Sequence, residues 1–170
     1  SHLDWVPTLM AAVGNTTIKN DLKKGTRIGS ESFKVHLDGY NFLPHLTGQT
    51  DAGPRNEFFY FSDDGKLVGL RSGDWKLVFA EQRARQFQVW REPFVELRIP
   101  KLFHLRRDPY ERADTDSNHY QDWAMRKITL TSRPAIGEVQ QFLMTFIEFP
   151  PRQRPASFTV DQIVEKFMAW

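Results

Sequence analysis

The chain has 170 residues, 40% of them hydrophobic and 26% charged, with no cysteine and a formal net charge of +2. A chain of this size can bury a core without metals or disulfides, and the lack of cysteine excludes a disulfide framework, a thiolate metal site and a cysteine nucleophile. The charge balance is too mild to imply a polyanion partner from bulk electrostatics, and no apolar run approaches the roughly 18 residues of a spanning helix, so no membrane partner is expected.

The opening Ser1-His2-Leu3-Asp4-Trp5 has no initiator Met and no leader pattern, and reads as part of something longer. Asp4 is placed to cap a short helix that carries Trp5, Val6, Leu9, Met10, Ala12 and Val13 and ends at Gly14. Residues 15–26 are polar and of mixed charge, and read as a loop. Phe33, Val35 and Leu37 alternate with Lys34 and His36 ahead of Asp38-Gly39, which predicts a brief strand and a turn. Thr50-Asp51-Ala52-Gly53-Pro54 is rich in turn residues and marks an expected boundary near residue 53.

Beyond it the pattern is that of strands. Phe58-Phe59-Tyr60-Phe61, Leu67-Val68-Gly69-Leu70 and Trp75-Lys76-Leu77-Val78-Phe79 are separated by Ser62-Asp63-Asp64-Gly65 and Ser72-Gly73-Asp74, which predicts an antiparallel meander. The four-aromatic run predicts a strand covered on both faces, because leaving it open would invite edge pairing. Residues 101–105 supply a fourth strand. Residues 118–128 and 138–147 carry helix-spaced apolar residues, and a last amphipathic helix is expected after the Pro-rich break at 150–155.

None of the five histidines, His2, His36, His45, His104 and His119, sits in a catalytic signature. Asp114-x-Asp116-x-Asn118 opens like a calcium loop, but His119 stands at its Gly and Met125 at its Glu, so a solvated loop before a helix is the better reading. Residues 83–107 interleave Arg83, Arg85, Arg91, Arg98, Lys101, Arg106 and Arg107 with Phe87, Trp90, Phe94 and Phe103. Such interleaving suits single-stranded nucleic acid or another anionic ligand. It also suits a strand connection with guanidinium heads in water and rings in the core, which is favoured here.

Three stretches together resemble the C-terminal portion of the type I, formylglycine-dependent arylsulfatases of the alkaline phosphatase superfamily. Ser1-His2-Leu3-Asp4-Trp5-Val6-Pro7-Thr8 is similar to the family's S-H-x-D-x-x-P-T helix, and Asp38-Gly39-Tyr40-Asn41 through Leu46-Thr47-Gly48 to its D-G-x-x-x-x-P-x-L-x-G segment. Trp75-Lys76 with Leu102-Phe103-His104-Leu105-Arg106-Arg107-Asp108-Pro109-Tyr110-Glu111 is similar to its W-K strand and L-[FY]-[DN]-L-x-x-D-P-x-E turn. His104 stands where an acid or Asn is usual, and Asp114 where an Asn often follows the Glu.

The resemblance implies an α+β fold, a small antiparallel sheet of about four strands packed with helices over residues 53–170. Residues 1–52 would be the tail of an α/β alkaline-phosphatase-like domain. The implied parent hydrolyses sulfate esters with a formylglycine made from the C/S-x-P-x-R motif and with calcium. The motif is absent here: Ser132-Arg133-Pro134-Ala135 is followed by Ile136, not Arg. No catalytic or metal residue is therefore assigned, and the chain alone is expected to be inactive. Tyr40, Arg83, Arg85, Trp90, Arg106 and Arg107 are the candidates for a substrate-cleft rim, with surface or packing roles as the alternative for each. The expected partners are the missing catalytic domain and its sulfate ester, and a second copy through an apolar patch left uncovered. The rival reading is a free-standing module that binds an anionic ligand or nucleic acid through residues 83–107.

Overall fold

The computed structural model describes residues 1–150, save for the side chains of residues 129–134. The last expected helix lies outside the described residues. The chain forms two compact units, Ser1–Asn56 with Gln140–Pro150, and Glu57–Val139.

In the first unit a single 3₁₀ turn, His2–Asp4, leads into α1, Trp5–Ala12, which stops at Val13 and Gly14, the latter at φ 92°. Residues expected to be a loop contain instead a two-turn helix, α2, Ile18–Lys24. Its polar surface hid one apolar stripe, since Ile18 and Leu22, four apart, are its two buried residues. The expected strand at residues 33–37 also moves. A short hairpin pairs β1, Thr26–Ile28, with β2, Glu31–Phe33, around Gly29 at φ 63°, and residues 34–42 run on without a strand partner. The one-turn helix α3, Leu43–Leu46, follows.

The second unit holds a four-stranded antiparallel sheet in the order β3-β4-β5-β6, made of Glu57–Phe61, Leu67–Ser72, Trp75–Glu81 and Val95–His104. Gly65 (φ 73°) and Gly73 (φ 56°) close its first two turns, as the Asp-Gly and Gly-Asp pairs predict. With its two-stranded companion and the helices, the architecture is α+β, the expected class. The sheet register carries one row of side chains, Phe59, Leu70, Leu77 and Leu102, straight across all four strands. Leu70 and Leu102 are fully buried, and the row packs with Trp75, Trp123, Ile128, Ala135 and Val139. At about 25 cal/mol per Å² of apolar surface removed from water, this row and its cover are the main source of the unit's stability.

The last two helices expected before residue 150 are one, α5, Tyr120–Glu148. A single turn, α4, Ala113–Asp116, precedes it and includes Asp114 and Asp116 of the calcium-like run. The aromatic run of β3 is half-buried rather than fully covered, because β3 is an edge strand and Phe61 stays 41% exposed. A register shift between Tyr60 and Phe61 disrupts that edge, which discourages pairing with another chain.

Candidate functional site

Asp4 occupies the expected N-cap position of α1, but its side chain makes no capping bond to the helix. It is 4% exposed and receives the Arg55 guanidinium in two-pronged fashion, Nε to Oδ2 at 2.9 Å and the terminal nitrogen to Oδ1 at 2.6 Å. The Tyr40 backbone N–H donates to the same Oδ1 at 2.8 Å. Thr8 Oγ1, one turn along α1, donates to the Asp4 carbonyl at 2.6 Å and accepts from the Phe42 N–H at 3.0 Å. Burial alone would raise the Asp4 pKa, but hydrogen bonds and the Arg55 charge outweigh it and hold the carboxyl far below the usual range.

Tyr40 is the centre of this node. Its ring lies under Arg55, 4.6 Å from the guanidinium carbon, and under the Lys19 ammonium at 5.0 Å. Lys19 also donates to the Gly39 carbonyl at 2.6 Å. Gly39 is required by contact rather than by turn geometry, since a Cβ there would overlap the Leu3 carbonyl. The node thus fastens the 36–42 segment to α1. The hollow beside it, lined by Ser1, Asp4, Trp5, Thr8, Phe42 and Leu46, measures about 140 Å³. A drug-sized ligand needs roughly 300 Å³ or more.

In the second unit the Trp75-Lys76 strand and the 102–111 turn meet. The Lys76 ammonium lies 2.8 and 2.7 Å from the two carboxylate oxygens of Glu111, and 4.8 Å from the centre of the Tyr60 ring. Trp75 meets the ring of His104 edge-on at 4.6 Å and stacks on Trp123 at 6.1 Å. Asp108 accepts from the N–H groups of Arg112 and Ala113 at 3.0 and 2.9 Å, starting α4. At the two places where this turn departs from the family pattern, His104 Nδ1 is buried without a hydrogen-bond partner among the described residues, and Asp114 pairs with Lys101 at 2.6 Å. Lys101 also reaches Glu81 at 2.6 Å.

Tyr40 belongs to the first unit, and the rim candidates of the second unit fall into two groups. Arg83, Arg85 and Trp90 lie in the connection before β6, and Arg106 and Arg107 just after it. β6 pairs with β5 from Trp75↔His104 to Glu81↔Val95, six steps of about 3.3 Å on β5, so the two ends of the strand lie about 20 Å apart. Arg83 pairs with Glu81 at 2.8 Å, and Arg106 with Asp74 at 3.3 Å. Arg85 and Arg107 are exposed. The favoured packing of the basic and aromatic stretch holds for Phe103, 3% exposed, and fails for Phe87 and Trp90, which are 87% and 80% exposed in a 3₁₀ helix, Gln86–Trp90. Composition could not separate these cases, because a strand and a surface turn use the same residues. Arg55 and Glu111 carry the two ion-paired nodes, yet each lies tens of positions from its partner and had no local signal.

The described residues offer no fit for calcium, and the sequence offers none for formylglycine. The chain has no C/S-x-P-x-R motif, and among the described residues no three His, Asp or Glu side chains converge to hold a metal ion. No helix among those residues is long and apolar enough to cross a membrane.

No protein-family model and no curated protein sequence matches the chain. Among solved structures it is similar to the PsFucS1 sulfatase from Pseudoalteromonas sp., with a TM-score of 0.51 and 18% identity, over 71% of this chain. The match spans 23% of that sulfatase's length.

Proposed function

We propose that this chain is the C-terminal structural part of a sulfatase-type enzyme, and that it shapes the fold around a catalytic centre contributed by other residues. The observation that carries this reading is the likeness to a sulfatase over 71% of the chain. The motif residues support it from a second side. Asp4 with Tyr40, and Lys76 with Glu111, are the very stretches that resemble the family, and in this fold they act as fasteners between distant segments.

In this reading the reaction of the whole enzyme is hydrolysis of a sulfate ester. A covalent nucleophile and a metal each contribute orders of magnitude in rate, and neither belongs to this chain. α1, a helix without a charged residue, leaves Trp5, Val6 and Leu9 exposed, as is Val13 at its C-terminal cap, and this is where the rest of the enzyme would pack. The chain alone then self-associates, and sedimentation showing a monomer at every concentration would count against that packing.

The experiment is an assay with 4-methylumbelliferyl sulfate and added calcium on this chain and on the product of the complete reading frame. The reading expects hydrolysis by the complete product and none by this chain. Turnover by the 170-residue chain itself would overturn it.

A further inference from the structure

The connection between β5 and β6 has a fixed shape, held by one side chain. Gln82 Nε2 donates to the carbonyls of Val89 and Glu92, at 3.4 and 2.6 Å, and its Oε1 accepts from the Ala84 N–H at 2.8 Å. Both limbs of the loop are thereby clamped to one amide. Gln86 then enters the 3₁₀ helix at φ 54°, a left-handed value that a side chain adopts only where its surroundings enforce it.

A 3₁₀ helix has three residues per turn, so side chains three apart eclipse one another. Phe87 and Trp90 therefore share one column of the Gln86–Trp90 helix, and both stand in solvent, 87% and 80% exposed. Val89, on the next column, is 41% exposed. Arg85 and Arg91 flank the helix as its two caps, and both are exposed. Residues 82–91 contain no carboxylate.

These rings add almost nothing to the core, yet they are held on a clamped turn between two guanidinium groups. We propose that this loop docks the protein on an anionic lipid surface, with Phe87, Val89 and Trp90 entering the boundary between headgroups and acyl chains. Arg85 and Arg91 meet the lipid phosphates. With Phe87 and Trp90 on one column, the turn can lie in the interface plane with its apolar side toward the acyl chains, as interfacial elements do. Trp favours that boundary because its ring is apolar and its N–H is not, and guanidinium groups beside it complement an anionic leaflet. An aliphatic Val89 on the same tip suits acyl chains, whereas base stacking has no use for it. The expectation of no membrane partner rested on the lack of a spanning apolar run, and docking at the surface needs no such run. Beside the sulfatase reading, the proposal requires that the rest of such an enzyme leave this loop uncovered.

The test is co-sedimentation of the full chain with vesicles of phosphatidylcholine alone and of an equimolar mixture with phosphatidylglycerol. Binding is expected to the mixed vesicles only, and to weaken as salt screens the arginines. Phe87→Ala and Trp90→Ala each lower the partition coefficient on the order of tenfold. The double variant Arg85→Ala with Arg91→Ala removes the preference for the anionic lipid. Circular dichroism confirms that the variants stay folded, as exposed positions allow. No binding to mixed vesicles would overturn the proposal. So would binding that both ring variants leave unchanged, or binding to oligothymidylate that the ring variants weaken while vesicles are ignored.

Discussion

The Lys76 ammonium sits within 2.8 Å of both oxygens of the Glu111 carboxylate, joining the second residue of β5 to a turn 35 positions later. Glu111 reaches it from a left-handed backbone, φ 54°, which a side chain adopts at a cost of about 1 kcal/mol. The turn thus accepts local strain to deliver a carboxylate to the sheet. Lys76 is 19% exposed and Glu111 31%, so water screens the pair only in part.

That geometry separates two substitutions at one position. Glu111→Ala loses the ion pair and keeps the strain, and is expected to cost about 1–2 kcal/mol. Glu111→Gly loses the same pair and releases the backbone, and is expected to cost about 1 kcal/mol less. Urea unfolding of the two variants in parallel checks the order, and Lys76→Met in the Glu111→Ala background should add little further.

Asp4 predicts a pH dependence with a definite sign. Its pKa is far lower in the folded chain than its ordinary 3.8, so the unfolded chain binds the proton first as pH falls. The stability that Asp4 contributes is therefore whole above about pH 5, starts to fall near pH 4, and continues to fall in stronger acid. Asp4→Asn removes the charge that faces the Arg55 guanidinium, and should cost about 3 kcal/mol at neutral pH. The difference between variant and parent should shrink as denaturation is repeated toward pH 3.

Tyr120 finishes the open edge of the sheet. Its hydroxyl accepts from the Leu102 N–H at 2.9 Å and donates to the Leu102 carbonyl at 3.1 Å, standing in for the next strand beyond β6. Tyr120→Phe leaves both buried backbone groups unpaired, an expected loss of about 1–3 kcal/mol, with faster amide exchange at Leu102. Burial raises the phenol pKa, so the hydroxyl's contribution is whole below pH 10.0 and is lost as pH climbs through the raised value.

The meander was legible because its turn chemistry is local: Asp64-Gly65 and Gly73-Asp74 announce hairpins, and the residues between them alternate or crowd as strands do. α5 was read as two helices because Pro134 and Gly137 interrupt its pattern, whereas the backbone stays helical from Tyr120 to Glu148. α2 was missed because two apolar residues among four charges make too faint a period. The motif residues Asp4, Tyr40, Lys76 and Asp108 were visible, but their roles were not. Those roles depend on Arg55, Glu111 and backbone groups that only the folded chain brings within reach. Phe87 and Trp90 show the converse: aromatic identity suggested burial, and the Gln82 clamp holds them in water.

The most direct measurement is the DNA sequence immediately upstream of the Ser1 codon, read in frame. The account predicts a C/S-x-P-x-R motif and acidic metal ligands within one continuous reading frame, which would place the chemistry ahead of this chain. A start codon directly before Ser1, with no such motif in frame, would contradict it.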